Sequence, residues 1–212
     1  MLLKESAIGQ VLSFTYHWGQ YLPSWHPWER YQDFYVSNRE TGACREIVAF
    51  QLVWLVDIFG LPRVVSCMND KVSNLDTDID DVYQILMKFD SQILGHIMVD
   101  VVSQPAINLI RICGSSGTIE FNQHENSVKL YDASKGTWVD IGIDRGSLET
   151  GYLYPEDPYI EEIEAFLSEI EFKDGTYPYS YETDLQVLSL LTSAECSSIG
   201  GKHVNYEKIL LV

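Results

Sequence analysis

The residues best suited to chemistry crowd into one stretch. Between Gly19 and Tyr35 the sequence sets Tyr21, Trp25, Trp28, Tyr31, Phe34 and Tyr35 around His26, Glu29, Arg30 and Asp33. Aromatic rings offer flat apolar faces with polar tips. Such a surface suits a sugar ring, which has apolar faces and hydroxyl edges, and a histidine among them is able to move a proton near neutral pH. The same rings would equally anchor a long loop on a core, and both readings stay open.

A second group follows at Gly42-Ala-Cys-Arg45-Glu46, where two charged residues open an apolar run. A glutamate near a helix N-terminus is favoured by the helix dipole, so Glu46 has a structural reading beside a pocket-facing one. Asp76-Thr-Asp78-Ile-Asp80-Asp81 resembles half of a calcium loop. It lacks the glycine at the sixth position and the closing glutamate, and a solvated loop is expected instead. His17, His96, His124 and His203 show no metal-ligand spacing, and Cys44, Cys67, Cys113 and Cys196 form no C-x-x-C pair. Free thiols in a reducing compartment are expected, with no metal site. No G-x-G-x-x-G or Walker sequence is present, and Gly114-Ser-Ser-Gly117 lies between two strand patterns with no helix after it. The isolated chain is therefore expected not to bind a dinucleotide.

These groups need a scaffold, and periodicity outlines one. Strand spacing marks 8–17, and short strands are predicted over 63–68, 81–89, 93–103, 107–113, 117–122, 127–131 and 137–141. Asp90-Ser91-Gln92 and Gly114–Gly117 read as turns between neighbours. Helices are predicted over 41–59, 156–171 and 181–197, with an edge strand near His203–Tyr206. In the first helix Ile47, Phe50, Trp54 and Ile58 recur at helical spacing and other apolar residues fill the remaining faces, so burial on most sides is expected. Ile160, Ile163, Phe166, Leu167 and Ile170 form a stripe in the second, and Leu185, Leu188, Leu190 and Leu191 point inward from the third. The predicted fold is a single α+β domain over 1–212, an open, largely antiparallel β-sheet with helices on one face. Strand 93–103 is apolar on both sides, so the other face of the sheet needs a cover.

The net charge is -17, with 14 basic residues among 212. Nucleic acid and anionic membranes are poor partners for such a chain. No stretch is long and apolar enough to span a bilayer, and Met1–Glu5 carries no signal-peptide pattern. A cytoplasmic location is expected.

Ile8-Gly9-Gln10-Val11-Leu12, the helix ending Ile58-Phe-Gly-Leu-Pro62, Asp78-Ile-Asp-Asp-Val-Tyr83, Ile112-Cys-Gly-Ser-Ser-Gly-Thr-Ile-Glu120, Tyr159-Ile-Glu-Glu-Ile-Glu-Ala-Phe166 and Thr183-Asp-Leu-Gln-Val-Leu-Ser189 stand in a fixed order. Together they resemble the C-terminal domain of the glucose–fructose oxidoreductase, inositol dehydrogenase and rhizopine-catabolism (Gfo/Idh/MocA) family, whose fold is dihydrodipicolinate reductase-like. The resemblance covers nearly the whole chain. It implies an NAD- or NADP-binding Rossmann domain in a full-length relative, and none is found in this sequence. It also implies an Asp-x-x-x-His pair on helix 41–59, where this sequence has Glu46 and Phe50.

The expected role is the substrate-binding and oligomerisation half of an oxidoreductase acting on a sugar, inositol or related polyol. The alternative is a non-catalytic binding or scaffold protein derived from such an enzyme. His26 and Glu46 are the candidates for proton handling, and Trp25, Trp28, Tyr31 and Arg45 for positioning a sugar-like ligand. Expected partners are a second copy through the bare sheet face, giving a homodimer or higher oligomer, and a separate Rossmann-domain chain.

Overall fold

The computed structural model describes residues 2–142, 146, 157–173, 177 and 179–206. Nine strands make one sheet: β1 (Val11–Gly19), β2 (Val64–Asp70), β3 (Val82–Lys88), β4 (Leu94–Asp100), β5 (Ile107–Gly114), β6 (Gly117–Asn122), β7 (Ser127–Asp132), β8 (Thr137–Ile141) and β9 (Val204–Asn205). Three α-helices accompany them: α1 (Ala43–Phe59), α2 (Asp157–Phe172) and α3 (Tyr181–Gly200). The strand order is β8-β7-β6-β5-β1-β4-β3-β2-β9. The strands and the one-sided helix cover match the predicted α+β architecture.

Seven of the eight strand pairings are antiparallel, and the exception lies at the centre. β1 runs parallel to β4, with Tyr16 beside Ile97 and Gly19 beside Asp100, and antiparallel to β5 on its other side. Alternation decides the two faces. Phe14 and Tyr16 of β1, Tyr83, Ile85 and Met87 of β3, and Ile97 and Val99 of β4 are buried beneath the helices. Phe14 stacks on Phe59 of α1 with ring centroids 4.1 Å apart. Its ring lies where a side chain at residue 95 would go, since a Cβ on Gly95 would stand 2.4 Å from Phe14 Cζ.

α3 is held by its ends and by its serines. Ser180 accepts from the Thr183 N–H at the N-terminus, and Gly201 takes a left-handed φ of 59° at the C-terminus, which glycine adopts freely. Val187, Leu190, Leu191 and Ala194 enter the core. The hydroxyls of Ser197 and Ser198 accept from the N–H groups of Cys67 and Asn69. Those donors lie on β2 beyond the end of short β9, so the helix satisfies a strand edge that would otherwise stay open.

Four expectations about packing need correction. α1 buries Cys44, Val48, Leu52 and Leu55, while Phe50 is 59% exposed and Ile58 is 44% exposed. Glu46 and Asp57 mark the side on which Phe50 lies, and only the line meeting the sheet and α3 is covered. α2 forms over the expected span, but none of its residues is buried, so it covers no part of the sheet. Leu188 faces outward and Val187 takes the inner position. Asp76–Asp81 is not simply a solvated loop, because Asp81 is fully buried. Its carboxylate accepts from the Val72 N–H at 2.8 Å, from the Ser73 N–H at 3.1 Å and from the Ser73 hydroxyl.

The face away from the helices carries Met68, Leu86 and Leu94, all more than half exposed. His96, Met98, Thr15 and His17 continue it across β4 and β1. It is the bare face expected from the double-sided apolar pattern of strand 93–103.

Candidate functional site

The loop between β1 and α1 begins at Gly19, where a Cβ would lie 2.5 Å from Ser103 Oγ and 2.6 Å from Asp100 Oδ2. Only glycine lets the chain pass that close. Gln20 and Leu22 then donate to the carbonyls of Asp100 and Val101, which pins the loop to the end of β4. Three 3-10 turns follow, at Leu22–Ser24, Tyr31–Asp33 and Tyr35–Ser37, with Leu22 and Val36 buried as anchors. The loop ends at Gly42, whose missing Cβ makes room for Ile79 Cγ2 at 2.6 Å.

This framework divides the candidate residues. Trp25 sits edge-on to Trp18, centroids 6.1 Å apart, and donates to the Gln20 carbonyl, so it belongs to the anchor. Tyr31 accepts from the Asp76 N–H at 3.0 Å and ties the loop to the aspartate-rich segment. Arg45 turns toward α3, where its Nε and Nη2 reach Glu195 at 2.6 and 3.2 Å. The hydrogen bonds that Arg45 donates to Glu195 outweigh partial burial and raise the Arg45 pKa. Burial, with the Glu195 charge adding to it, pushes the nearby Tyr83 phenol well above its usual range.

Two exposed groups remain. His26 lies edge-on to Trp28, centroids 5.4 Å apart, with Phe34 on its other side at 6.5 Å. Trp28 is 74% exposed. Glu46, in the first turn of α1, accepts from the Tyr35 hydroxyl at 3.1 Å, and Phe50 stands one turn further along the same side of the helix. Partial burial, and then the hydrogen bond and charge of Glu46, raise the Tyr35 pKa, so its phenol stays a neutral donor. The second group offers a carboxylate to accept from a hydroxyl, a phenol beside it and the Phe50 ring one turn along α1. Phe50 holds no transferable proton. Sequence reasoning named Tyr35 among the loop aromatics but did not pair it with Glu46. Its place eleven residues before Glu46 makes sense only once the turns at 31–37 fold the loop back on α1.

A second polar arrangement was hidden in the sequence. His17 Nε2 lies 2.7 Å from Asp100 Oδ2. Asp100 also accepts from Val102 N–H at 3.0 Å, Ser103 N–H at 2.7 Å and Ser103 Oγ at 2.8 Å. Burial alone would raise its pKa, but these donors, His17 first, hold it below the usual carboxylate range. A depressed native pKa gives stability that is complete above the unfolded value near about 3.9 and is lost as pH falls below it. Asp100→Asn is therefore expected to be less stable than the wild type at pH 7 by about 1–3 kcal/mol. The gap should narrow toward pH 3. Urea titrations of both proteins across that range test this, and a pH-independent gap would refute the assignment.

Among the described residues no group of three or more His, Cys, Asp or Glu is placed to hold a metal ion. Among them, no helix is long and apolar enough to cross a membrane. Among the described residues, the Gly114–Gly117 turn does not suit a dinucleotide phosphate. Gly114 and Gly117 are spent on close packing in a hairpin, against the carbonyl oxygens of Ile8 and Tyr131.

Comparison with known proteins identifies the domain. The family model described as "GFO/IDH/MocA C-terminal domain" matches residues 1–120. No curated protein matches the chain. Among solved structures, apo levoglucosan dehydrogenase is 15% identical with a TM-score of 0.80, covering 99% of this chain and 62% of its own. That enzyme is also solved with NADH and levoglucosan. An oxidoreductase from Agrobacterium radiobacter, in complex with NAD+, L-tartaric acid and magnesium, is 17% identical with a TM-score of 0.78, covering 97% of this chain and 59% of its own. An NAD binding oxidoreductase from Klebsiella pneumoniae is 20% identical with a TM-score of 0.76, covering 98% and 62%. The chain thus spans about three fifths of the length of the structures it matches.

Proposed function

Since the chain belongs to the GFO/IDH/MocA family through its C-terminal domain, we propose that it is the substrate-binding and oligomerisation half of an NAD(P)-dependent oxidoreductase acting on a sugar, inositol or related polyol. The observation that carries this reading is the exposed surface where Tyr35 donates to Glu46 beside Phe50, with His26, Trp28 and Phe34 in the same loop. Aromatic faces and a carboxylate are the groups that recognise a ring with hydroxyl edges. In this role Glu46 accepts from a substrate hydroxyl, Tyr35 orients Glu46, and Trp28 covers an apolar ring face. His26 is the second candidate for proton handling. Trp25, Tyr31 and Arg45 act on the ligand only through the loop and helix they hold in place. Hydride transfer requires the dinucleotide domain of a full-length relative or a separate chain. The bare sheet face with Met68, Leu86 and Leu94 supports self-association, because apolar patches of this kind are rarely left open. The absence of a long apolar helix among the described residues, together with four free cysteines, supports a cytoplasmic protein.

Titrating levoglucosan, inositols and sugar acids against the intrinsic tryptophan fluorescence of the chain tests this. At least one class is expected to change the signal. Trp28→Ala should weaken its binding about tenfold, the worth of roughly 1.4 kcal/mol from one aromatic contact. Because Trp28 is exposed, stability should not move. No response from any polyol would leave the loop as a structural anchor.

Phe50 favours a second reading, a non-catalytic binding or scaffold protein, because it stands where the family resemblance implies a histidine. That reading keeps ligand binding and predicts no turnover when a dinucleotide domain is supplied.

A further inference from the structure

At the end of β1, where Gly19 passes Ser103, an open cavity of about 330 Å³ lies apart from the Glu46 surface and shares no lining residue with it. Small-molecule sites span about 300–1,000 Å³. Strand register builds one wall. His17 stands opposite Leu109, and Leu109 opposite Asn122, so the three form a row on one face across β1, β5 and β6. Ile107 and the segment 103–106 after β4 complete the lining.

Two polar groups of this wall have their roles fixed by bonds behind it. Both oxygens of the Asp100 carboxylate are occupied. Oδ1 accepts from the N–H groups of Val102 and Ser103, and Oδ2 from the Ser103 hydroxyl and His17 Nε2. A carboxylate only accepts, so His17 Nε2 carries the proton, and in the neutral ring Nδ1 is then an acceptor. Ser103 donates to Asp100 and not to His17, so the three do not make an activated nucleophile. Asn122 is fixed in the opposite sense. Its Oδ1 accepts from the N–H groups of His124 and Glu125 at 3.0 and 3.4 Å, which leaves the Nδ2 hydrogens to the cavity. One acceptor and one donor therefore line the same space, with the apolar side chains of Ile107 and Leu109 between them.

Charge selects the class of ligand. Among the described residues that line the cavity, none is Asp, Glu, Lys or Arg. The charged groups beside it in sequence are paired elsewhere, Arg111 with Glu120 and Glu125 with Lys129. A cation finds no free carboxylate there, and an anion meets the lone pair of an imidazole with no fixed cation beside it. A hydroxyl both donates and accepts, so neighbouring hydroxyls of one molecule satisfy His17 Nδ1 and Asn122 Nδ2 together. We propose that this cavity is a second binding site, for an uncharged polyhydroxylated molecule of monosaccharide size, held by His17 and Asn122 over Ile107 and Leu109. Binding here is independent of the Glu46 surface.

Histidine-selective nitrogen-15 NMR on the full chain at pH 8 provides the test, with myo-inositol, levoglucosan and sorbitol as uncharged probes and L-tartrate as the anion. His17 should show a protonated Nε2 and a bare Nδ1, and at least one polyol should move the Nδ1 resonance saturably. Asn122→Asp keeps the oxygen that caps the turn and removes the donors, so it should weaken that binding at least about fivefold, the worth of roughly 1 kcal/mol. Ala106→Phe fills the cavity and should abolish it, with circular dichroism reporting whether the fold holds. If Ala106→Phe fails to fold, Asn122→Asp decides alone. Trp28→Ala should leave binding unchanged. A proton on Nδ1 in place of Nε2, no response to any polyol, or a response to L-tartrate alone overturns the proposal. Binding that survives the cavity changes also overturns it, and if Trp28→Ala then removes that binding the ligand belongs to the Glu46 surface. A His17 response with silent tryptophan fluorescence keeps this site and refutes the Glu46 one.

Discussion

Asp81→Ala is expected to destabilise the chain by about 3–5 kcal/mol, since it strands two backbone donors and a hydroxyl at roughly 1–3 kcal/mol each, less what water recovers. The Asp81 carboxylate is fully buried and gathers the Val72 and Ser73 N–H groups and the Ser73 hydroxyl. Its backbone also ties two strands, because Asp81 N–H donates to Asp70 and its carbonyl accepts from Val101 at 3.0 Å. The segment it holds carries Asp76, which bonds Tyr31, and Ile79, which packs against Gly42 at the start of α1. Damage at Asp81 should therefore reach the loop bearing Trp28. Denaturant unfolding gives the loss, and Asp78→Ala is the control. Asp78 is highly exposed with one surface ion pair to Arg39, so that change should cost less than about 1 kcal/mol. Equal effects at the two positions would show that Asp81 is not the anchor.

Phe14→Ala should be at least as costly, at about 3–5 kcal/mol, or roughly 6–20 °C in melting temperature for a chain of this size. Phe14 is buried, stacks on Phe59 and leans against Phe89 at 6.1 Å. Its ring also fills the place that a side chain at Gly95 would take. Gly95→Ala should cost about 1–3 kcal/mol by overpacking. Together the two changes should be less than additive, because removing the ring opens the space the new methyl needs. Calorimetry on the four proteins measures this coupling, and strict additivity would mean that the ring and the methyl do not compete.

These two sites also show what the sequence reveals and what it conceals. The strands were legible because alternation has a short period and because Gly, Ser and Asp mark their ends. The parallel pairing of β1 with β4 was not, since periodicity gives a strand and its faces but no neighbour. The His17–Asp100 pair depends on that pairing, and so stayed invisible across 83 residues. Arg45 could be placed at a helix mouth, yet its partner Glu195 lies 150 residues away on α3. In α1 the polar residues Glu46 and Asp57 lie on the side of Phe50 at helical spacing, a mark of its outward side that the apolar recurrence of Ile47, Phe50, Trp54 and Ile58 masked. For α2 the stripe was plain, but a stripe records that something is to be covered and not by what. The loop was legible as a dense set of rings. Its division into anchors, Trp25 and Tyr31, and exposed groups, Trp28 and the Tyr35–Glu46 pair, came from turns that leave little trace in residue type.

The place of β1 sets an order of events at the ribosome. Within this sheet it is made before the other described strands, yet both its neighbours come much later, β4 ending at Asp100 and β5 at Gly114. At about 5–20 residues per second, the 95 residues from Gly19 to Gly114 keep β1 waiting for several seconds. α1 can form in that interval because its bonds are local, but the sheet cannot grow outward from its own first strand. Pairing over so long a separation disfavours early, fast folding. Throughout that wait Phe14 and Tyr16 have no core to enter, and the strand that carries them keeps two open edges.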